Sequence, residues 1–421
     1  MKKKIVITNA YTWYNKGDAG ILLGTINTLK QIHGEKNVEF TILSFTPDED
    51  KKRYCKDKSI KNVYSNVLNP HPYKHTKLGK IIAIIKLIIK YIYLYMMSNL
   101  NLKHLIKKYD NFKELNECDY IVVCGGGFLG GKKLDSLMHV FQMYINTKFN
   151  KNIYVMGTSI EPMKNKIVKY FTNNVLKKMT YIFARETITY EYLKSVVSND
   201  KITLIPDMAF MLEDKSERSK YVSDLRCDFD KIYGITVRKW NFPNYNNPVK
   251  LMENYMNSLA EFMNKEIEQN KSAFIFIPQV IVSHGDDSEV AIEIRNRMKE
   301  KNRNKFLILH DDISPIEIKS LISNLDFFIG TRMHSNIFAT SMGVPTIAIA
   351  YEKKTNGIMQ TVGLDNYVIE MDEITESKLE ELVKIQRRNN QNIRNDLRKR
   401  IIKLREEIII KMENVLKNEV K

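Results

Sequence analysis

The chain has 421 residues, 43% of them hydrophobic and 27% charged, with a formal net charge of +17 at pH 7. This length exceeds one ordinary hydrophobic core, and the composition is that of a soluble globular protein, so we expect two domains. The basic excess suits nucleic acid, an anionic membrane surface or a phosphorylated substrate. No RNA-binding or helix-turn-helix signature accompanies it, which disfavours nucleic acid.

Through the first half of the chain, apolar strands alternate with helices. The pattern predicts strands over residues 3–9, 38–44, 120–124, 153–157 and 181–184, and helices over residues 19–32 and 166–178. Such alternation is typical of a mostly parallel, doubly wound α/β sheet. We assign residues 1–212 to this N-terminal domain.

An apolar segment interrupts that order at residues 80–97, within a basic insertion over residues 74–108. Its longest unbroken apolar run, residues 91–97, is far short of the ~20 residues of a spanning helix. Lys86 and Lys90 share one helical face, and the rest of the circumference is apolar. We expect the helix to be buried in a lid, a core or an oligomer; the alternative is contact with an anionic membrane surface.

A polar stretch over residues 211–231 is interpreted as the domain connection, and a second α/β series follows it. The pattern predicts strands over residues 232–238, 273–278 and 306–309, and helices over residues 249–269, 290–299 and 315–324. We assign residues 228–388 to this C-terminal domain. Residues 389–421 are predicted to form a long helix that packs back on the N-terminal domain.

The cysteines and the N-terminus indicate the cellular compartment, and the spacing of possible ligand residues bears on metal binding. Cys55, Cys118, Cys124 and Cys227 form no C-x-x-C pair, so we expect buried, reduced thiols. The first apolar run is too short for a signal-peptide core. No H-x-H, HExxH or carboxylate cluster suggests a metal. We therefore expect a cytoplasmic protein without a bound metal.

The most informative motif follows the apolar strand that ends at Gly330 and Thr331. Arg332, His334 and Ser335 come next, and a second apolar strand leads to Lys354. Open α/β sheets place ligand sites at the carboxyl ends of their strands. Two positive charges around one titratable group suit a small anion and proton transfer. Alternatively, Arg332 pairs with a carboxylate and His334 satisfies backbone carbonyls.

These residues, followed by Gly343-x-Pro345 and Tyr351-x-x-Lys354-x-x-Gly357, resemble the polysaccharide pyruvyl transferases. Four earlier segments agree with that family in type and order. They are Asn15-Lys16-Gly17-Asp18-Ala19-Gly20, Gly125-Gly126-Gly127, Ala184-Arg185-Glu186 and Pro206-Asp207-Met208-Ala209. The resemblance extends from about residue 5 to residue 357.

The resemblance implies two Rossmann-like domains that face a cleft, a glycosyltransferase-B-like fold. It implies phosphoenolpyruvate as donor and a hexose of a cell-surface polysaccharide, or of its lipid-linked precursor, as acceptor. The product would be a pyruvate ketal, with phosphate released and no bound cofactor. A homo-oligomer and work at the inner face of the cell membrane are further expectations. Two rivals stay open: a nucleotide-sugar glycosyltransferase, and a catalytically lapsed, membrane-peripheral binding protein.

The resemblance also suggests roles for individual residues. Arg185, Arg332 and Lys354 would bind the donor's carboxylate and phosphate, and His334 would be the general acid. Asp18, Asn15 and the glycines Gly125, Gly126 and Gly127 would hold the acceptor, with Asp18 able to accept a hydroxyl proton. Arg238, Asp207 and Ser335 complete the predicted substrate-binding set.

Simpler interpretations compete for several of these residues. Asp18 could cap a helix, Glu186 could neutralise Arg185, and Asp207 could anchor a loop or orient an arginine. The run from Gly125 to Gly130 matches G-x-G-x-x-G, but residues 140–160 contain no acidic residue, which argues against a dinucleotide. Its glycines could present N–H groups to substrate oxygens or permit close backbone packing.

Overall fold

The computed structural model describes residues 2–69, 77–131, 134–215, 219–243, 245–281 and 287–418. The chain divides into two compact units. The N-terminal unit comprises Met1–Trp13, Ile21–Met211 and Glu407–Lys421, and the C-terminal unit comprises Tyr14–Gly20 and Leu212–Glu406. The short segment at residues 14–20 therefore belongs to the C-terminal unit although it follows the first strand.

The N-terminal unit is built on a parallel sheet. Its strands are β1 (Lys3–Ala10), β2 (Val38–Ser44), β3 (Ile60–Ser65), β4 (Tyr120–Val123), β5 (Gly126–Gly130), β6 (Asn152–Glu161), β7 (Tyr181–Ala184) and β8 (Ile202–Leu204). In the described residues their order is β3-β2-β1-β4-β6-β7-β8, and β5 pairs with β6. Every residue of β4 is buried, as expected of a parallel strand covered on both faces.

Helices alternate with these strands. They are α1 (Lys16–His33), α2 (Pro47–Tyr54), α3 (Lys77–Leu100), α4 (Leu102–Lys108), α5 (Asp110–Glu117), α6 (Leu134–Asn146), α7 (Lys166–Leu176) and α8 (Thr187–Lys194). Helix α1 begins three residues earlier than predicted, because Asn15 ends the preceding loop and its side-chain oxygen accepts a hydrogen bond from the Gly17 N–H.

The C-terminal unit contains a second parallel sheet. Its strands are β9 (Lys231–Thr236), β10 (Ser272–Phe276), β11 (Phe306–Ile308), β12 (Phe327–Gly330), β13 (Thr346–Ala350) and β14 (Val368–Glu370). In the described residues the order is β11-β10-β9-β12-β13-β14. Tyr233 of β9 stacks between Phe274 and Phe327 of the two neighbouring strands, with ring centroids 4.9 and 5.1 Å away.

The helices of this unit are α9 (Lys220–Arg226), α10 (Pro248–Asn270), α11 (Asp287–Arg297), α12 (Pro315–Ser323), α13 (Met333–Ser341), α14 (Lys353–Thr361), α15 (Glu376–Arg388) and α16 (Asn390–Asn418). Helix α9 lies in the stretch that we predicted to be only a connection. Helix α16 extends into the N-terminal unit from Glu407 onward. The predicted α/β class, with two doubly wound sheets and a long C-terminal helix, is confirmed.

Helix α3 is the apolar segment of the sequence analysis, and burial in a core is wrong for most of its circumference. Leu94 is 1% exposed, whereas Ile81 and Ile89 are 55% and 61% exposed. By length and composition alone, Ile81–Leu100 could cross a membrane, with a mean hydropathy of 1.8 and only 11% of the apolar stretch buried. Residues 70–76, which include Lys74 of the predicted basic insertion, lie outside the described residues.

The cysteine prediction is correct for two of the four thiols. Cys118 and Cys124 are buried, but Cys55 is half-buried and Cys227 is exposed on the end of α9. Burial raises the pKa of the Cys118 thiol to about 12, so this thiol stays protonated at neutral pH.

Candidate active site

The C-terminal sheet reverses its winding direction between β9 and β12. From β9 the chain continues outward to β10 and β11 on one side, and from β12 to β13 and β14 on the other. Ligands of open α/β sheets bind outside the carboxyl ends of the strands at this reversal. Arg238 follows β9, and Arg332 follows β12. The predicted motif thus lies at the point of the sheet where the topology favours a ligand site.

Buried hydroxyls hold the start of α13. Ser335 is completely buried, and its hydroxyl lies 2.6 Å from the Arg332 carbonyl oxygen and 2.8 Å from Oγ1 of Thr236. The predicted contact between Ser335 and substrate does not fit this geometry, because the hydroxyl is enclosed and bonded to protein groups. Ser335 instead holds the first turn of α13 on β9, which orients Arg332 and His334.

Arg332 is paired with a carboxylate that the sequence analysis did not identify. Its Nε donates to Oδ2 of Asp287 at 3.0 Å, and Nη2 donates to Oδ1 at 2.5 Å. The carboxylate is 1% exposed and the guanidinium side chain 17%. Burial opposes the charge on Arg332, but Asp287 outweighs it and raises the pKa of the guanidinium. The alternative of carboxylate pairing is correct for Arg332.

Backbone hydrogen bonds join the segment at the start of α1 to the loop after β10. The Lys16 N–H donates to the Gln279 carbonyl at 2.9 Å, and the Ile281 N–H donates to the Tyr14 carbonyl at 3.0 Å. Asn15 and Val280 form an antiparallel bridge between these two hydrogen bonds. This short ladder brings the Asn-Lys-Gly-Asp motif to the C-terminal unit.

Gly17 then lies directly against His334. A Cβ atom on Gly17 would be 2.2 Å from Nδ1 and 2.5 Å from Cγ of the imidazole, where no side chain fits. Two motifs from opposite ends of the chain are therefore neighbours in space. Only glycine permits the first turn of α1 to approach the imidazole so closely.

The residues on either side of Gly17 also have hydrogen-bond or ion-pair partners. The Asn15 amide donates to Oδ2 of Asp18 at 2.5 Å, which orients that carboxylate in the first turn of α1. Asp18 is the third residue of the helix, so the alternative that it caps α1 is wrong. Lys16 has a completely buried side chain that forms an ion pair with Asp312. Lys16 and Asp312 are further charged residues of this region.

Arg238, which follows β9, lies between two aromatic rings. Its guanidinium donates to the Tyr351 hydroxyl and lies 4.4 Å from the centre of that ring. The ring of Trp240 lies 5.1 Å from the same guanidinium. Lys354 is near the start of α14 and forms an ion pair with Glu352 at 2.5 Å. Both cations thus have polar partners before any ligand binds.

The remaining predicted residues cluster in the N-terminal unit. Arg185 donates to Oδ2 of Asp207 at 2.7 Å and to the Ser159 hydroxyl at 2.6 Å. The side chain of Asp207 is completely buried, and that of Arg185 is 6% exposed. Asp207 therefore orients Arg185, which was one of its two alternatives, and Glu186 does not neutralise it. Gly127 is exposed, and a Cβ there would be 3.1 Å from Nη2 of Arg185.

The glycine run does not form a phosphate-binding loop before a helix. Residues from Gly126 onward form β5, which pairs with β6. A Cβ on Gly125 would be 2.1 Å from the Met156 carbonyl oxygen, and one on Gly130 would be 2.0 Å from that of Glu161. Close backbone packing is thus the correct interpretation for Gly125, whereas Gly127 keeps an open side beside Arg185.

Sequence reasoning missed the carboxylates that match these cations. Asp287 and Glu352 balance Arg332 and Lys354, respectively. Nothing in the local sequence distinguishes Asp287 from the acidic residues beside it. In the described part of the chain, no group of three or more His, Cys, Asp and Glu side chains is arranged to hold a metal ion.

Solved structures with a similar course of the chain identify the fold. A UDP-GlcNAc 2-epimerase from Neisseria meningitidis matches with a TM-score of 0.55, 12% identity and coverage of 98% of this chain and 99% of its own. The Anabaena protein HepE, solved with UDP and glucose, matches with a TM-score of 0.54, 12% identity and the same coverage. The fold is therefore glycosyltransferase-B-like.

The family follows from the sequence itself. Residues 15–353 match the family model of the polysaccharide pyruvyl transferases, and the chain belongs to that family. It is also similar to the amylovoran biosynthesis protein AmsJ of Erwinia amylovora, with 23% identity over 392 residues that cover 89% of this chain and 90% of that protein. The protein is thus a pyruvyl transferase of polysaccharide biosynthesis, and the resemblance seen in the motifs is confirmed.

Proposed function

We propose that this enzyme transfers pyruvate from phosphoenolpyruvate to a hexose of a cell-surface polysaccharide or of its lipid-linked precursor. The observation that carries the proposal is the contact of Gly17 with the His334 imidazole at the start of α13. This contact brings together a titratable ring and two charged neighbours. Asp18 is one residue from Gly17, and Arg332 is two residues from His334. Such a set suits proton transfer next to an anion.

The donor carries a carboxylate and a phosphate, and the cations near β9, β12 and β13 suit both groups. Asp287 takes two of the five N–H donors of Arg332, which leaves the others for a ligand. The N-terminus of α13 also favours an anion, because the helix dipole places partial positive charge there. Arg238 and Lys354 are the further proposed contacts. In the N-terminal unit, Arg185 beside Gly127 is the proposed contact with a substrate anion.

The reaction forms one C–H and two C–O bonds. It breaks the C=C π bond of the donor, the O–H bonds of the two sugar hydroxyls, and the bond between C2 of the donor and the phosphate oxygen. His334 delivers a proton to the methylene carbon as the first sugar hydroxyl attacks C2. That hydroxyl gives its proton to Asp18, which the Asn15 amide keeps oriented. The phosphate leaves with the electron pair, and the second hydroxyl attacks C2 and gives its proton to the phosphate. Return of the proton from Asp18 to His334 through solvent completes the cycle.

The place of action follows from the acceptor. A lipid-linked precursor is held in a membrane, so we propose that the enzyme works in the cytoplasm at the inner face of the cell membrane. A homo-oligomer remains a proposal as well. Neither proposal is needed for the chemistry described above.

Ligand-induced thermal stabilisation tests the donor. A ligand that binds only the native state raises the melting temperature as its concentration exceeds its Kd. We expect phosphoenolpyruvate to raise it, and UDP, UDP-sugars and NAD to leave it unchanged. A shift with UDP alone would favour a nucleotide-sugar glycosyltransferase and contradict the proposal.

Substitution of the proposed acid tests the mechanism. His334→Ala should abolish turnover and keep most of the thermal shift with phosphoenolpyruvate, because the proton donor is lost and the cations remain. The control is His104→Ala, which alters an exposed histidine of α4. Turnover by the His334 variant at saturating donor would exclude the acid role.

A further inference from the structure

Helix α3 presents an uncovered apolar surface, which we call the isoleucine face. It consists of Ile81, Ile84, Ile85, Ile88, Ile89 and Ile92, each 48–61% exposed. At 3.6 residues per turn, these side chains fall within an arc of about 140° on the helix. They form one continuous stripe along the helix. A contiguous apolar patch on a protein surface marks a site of interaction.

The opposite face of α3 is fixed to the N-terminal unit. Leu94 and Ser98 are buried there, and the ring of Tyr91 packs against Phe141 with centroids 4.4 Å apart. Tyr95 lies at the margin of the isoleucine face and is 45% exposed, and its ring stacks on Tyr144 with centroids 5.5 Å apart. Because these contacts hold the helix along one side, the isoleucine face points away from the unit that anchors it. A helix held in this way can lie on a membrane without leaving its own domain.

The charge of the surrounding sequence indicates what covers this face. From Lys58 to Tyr109 the chain contains no Asp or Glu. Lys86 and Lys90 are exposed on α3, about 60° and about 100° beyond the Ile89 edge of the stripe. Lys107 and Lys108 are exposed on α4. Lysines bury their methylene stems at an apolar boundary and extend their ammonium groups to anionic headgroups.

We propose that α3 lies in the interface of an anionic lipid bilayer, with the isoleucine face among the upper acyl chains and the lysines at the headgroups. A second copy of the chain fits less well, because the lysines of both copies would meet without acidic partners in this segment. A spanning helix fits less well, because it would lose the contacts of Tyr91, Leu94 and Tyr95. The proposal is independent of pyruvyl transfer.

Vesicle co-sedimentation with the full chain tests the proposal. The probes are vesicles of phosphatidylcholine alone and of phosphatidylcholine with phosphatidylglycerol in equal parts. We expect strong binding to the second kind, weakened by salt because headgroup attraction is screened. The variant Ile85→Gln, Ile88→Gln and Ile92→Gln should bind at least about tenfold more weakly, since three apolar side chains no longer enter the bilayer. Lys86→Glu with Lys90→Glu should remove the preference for phosphatidylglycerol.

The matched control is Ile167→Gln, Ile188→Gln and Ile402→Gln, three exposed isoleucines outside α3. It should bind vesicles like the natural sequence, and circular dichroism should show both triple variants folded. Equal loss in the control, or no vesicle binding by the natural sequence, would overturn the proposal. So would a dimer that the α3 variant alone dissociates without loss of vesicle binding. Resistance of the bound protein to alkaline carbonate extraction would show a spanning helix instead. None of these results depends on turnover.

Discussion

Gly17 and His334 occupy one tightly packed position in the C-terminal unit, where a Cβ on the glycine would come within 2.2 Å of the imidazole Nδ1. The contact joins the first turn of α1 to the first turn of α13. It explains why glycine stands in a helix, where alanine would be favoured by up to ~1 kcal/mol. The geometry of the imidazole, rather than the backbone of α1, is what requires glycine.

The first prediction concerns this contact. Gly17→Ala should displace the imidazole and lower kcat by about 100-fold, because the proposed proton donor would no longer face the substrate. The free energy of unfolding should fall by about 1–3 kcal/mol through overpacking. The control is Gly357→Ala in α14, where a Cβ meets nothing within 4 Å and no loss of stability is expected. Steady-state kinetics and urea unfolding measure both effects; unchanged kcat in Gly17→Ala would contradict the contact's role.

The second prediction concerns the partner of Arg332. Asp287→Asn removes the charge that balances a largely buried guanidinium, so the melting temperature should fall. Turnover should fall by about 100-fold, because the guanidinium loses its orientation. The thermal shift with phosphoenolpyruvate should become larger than in the natural sequence, since an anion of the proposed donor would then balance Arg332. An unchanged thermal shift would show that Arg332 pairs with Asp287 and does not bind the donor.

The third prediction concerns Arg185 and Asp207. Asp207→Ala leaves a buried arginine without its carboxylate, and we expect a loss of about 3–5 kcal/mol in the free energy of unfolding. The double variant Arg185→Leu and Asp207→Leu should recover much of this loss, because neither charge remains. Urea unfolding followed by circular dichroism measures both.

The exposed pair Glu191–Lys194 provides the control for that experiment. Glu191→Ala should leave the unfolding midpoint unchanged, since exposed ion pairs contribute little. If Asp207→Ala were as mild as Glu191→Ala, the buried pair would not stabilise the N-terminal unit.

The fourth prediction concerns pH. His139 is buried against Asn9, whose amide nitrogen lies 3.0 Å from its Nδ1, and burial lowers the pKa of His139 to about 3. Between its ordinary value near 6.5 and about 3, the unfolded chain binds a proton that the folded chain does not. Stability should therefore fall as pH falls through this window, by about 1.4 kcal/mol per unit.

Substitution of His139 separates its contribution to the pH dependence of stability from that of the other titratable groups. Burial lowers the pKa of His33 to about 4, so His33 adds to the slope in the same window. Between pH 6 and 4, His139→Gln should reduce the slope of the free energy of unfolding against pH by about 1.4 kcal/mol per unit, the effect of one proton. Urea unfolding at several pH values measures the slopes; an unaltered slope in His139→Gln would show that this histidine is protonated in the folded chain.

Local pattern in the sequence determined the two α/β series, the positions of most strands and the placement of Arg332 and His334 after β12. Apolar runs and their spacing are local properties, and the carboxyl end of a parallel strand is readable from them. The order of motifs also sufficed for the family. The sequence therefore identified residues such as Arg332 and His334, whose place follows directly from the strand that precedes them.

Tertiary structure alone decided which residues meet. Asp287 reaches Arg332 from 45 positions away, and Gly17 reaches His334 from the opposite end of the chain. The tight packing of Gly125 against Met156 likewise depends on a neighbouring strand. For α3, the apolar pattern is the same whether the face is covered or exposed. Only the packing of the other side by Tyr91 and Leu94 shows that the isoleucine face stays open.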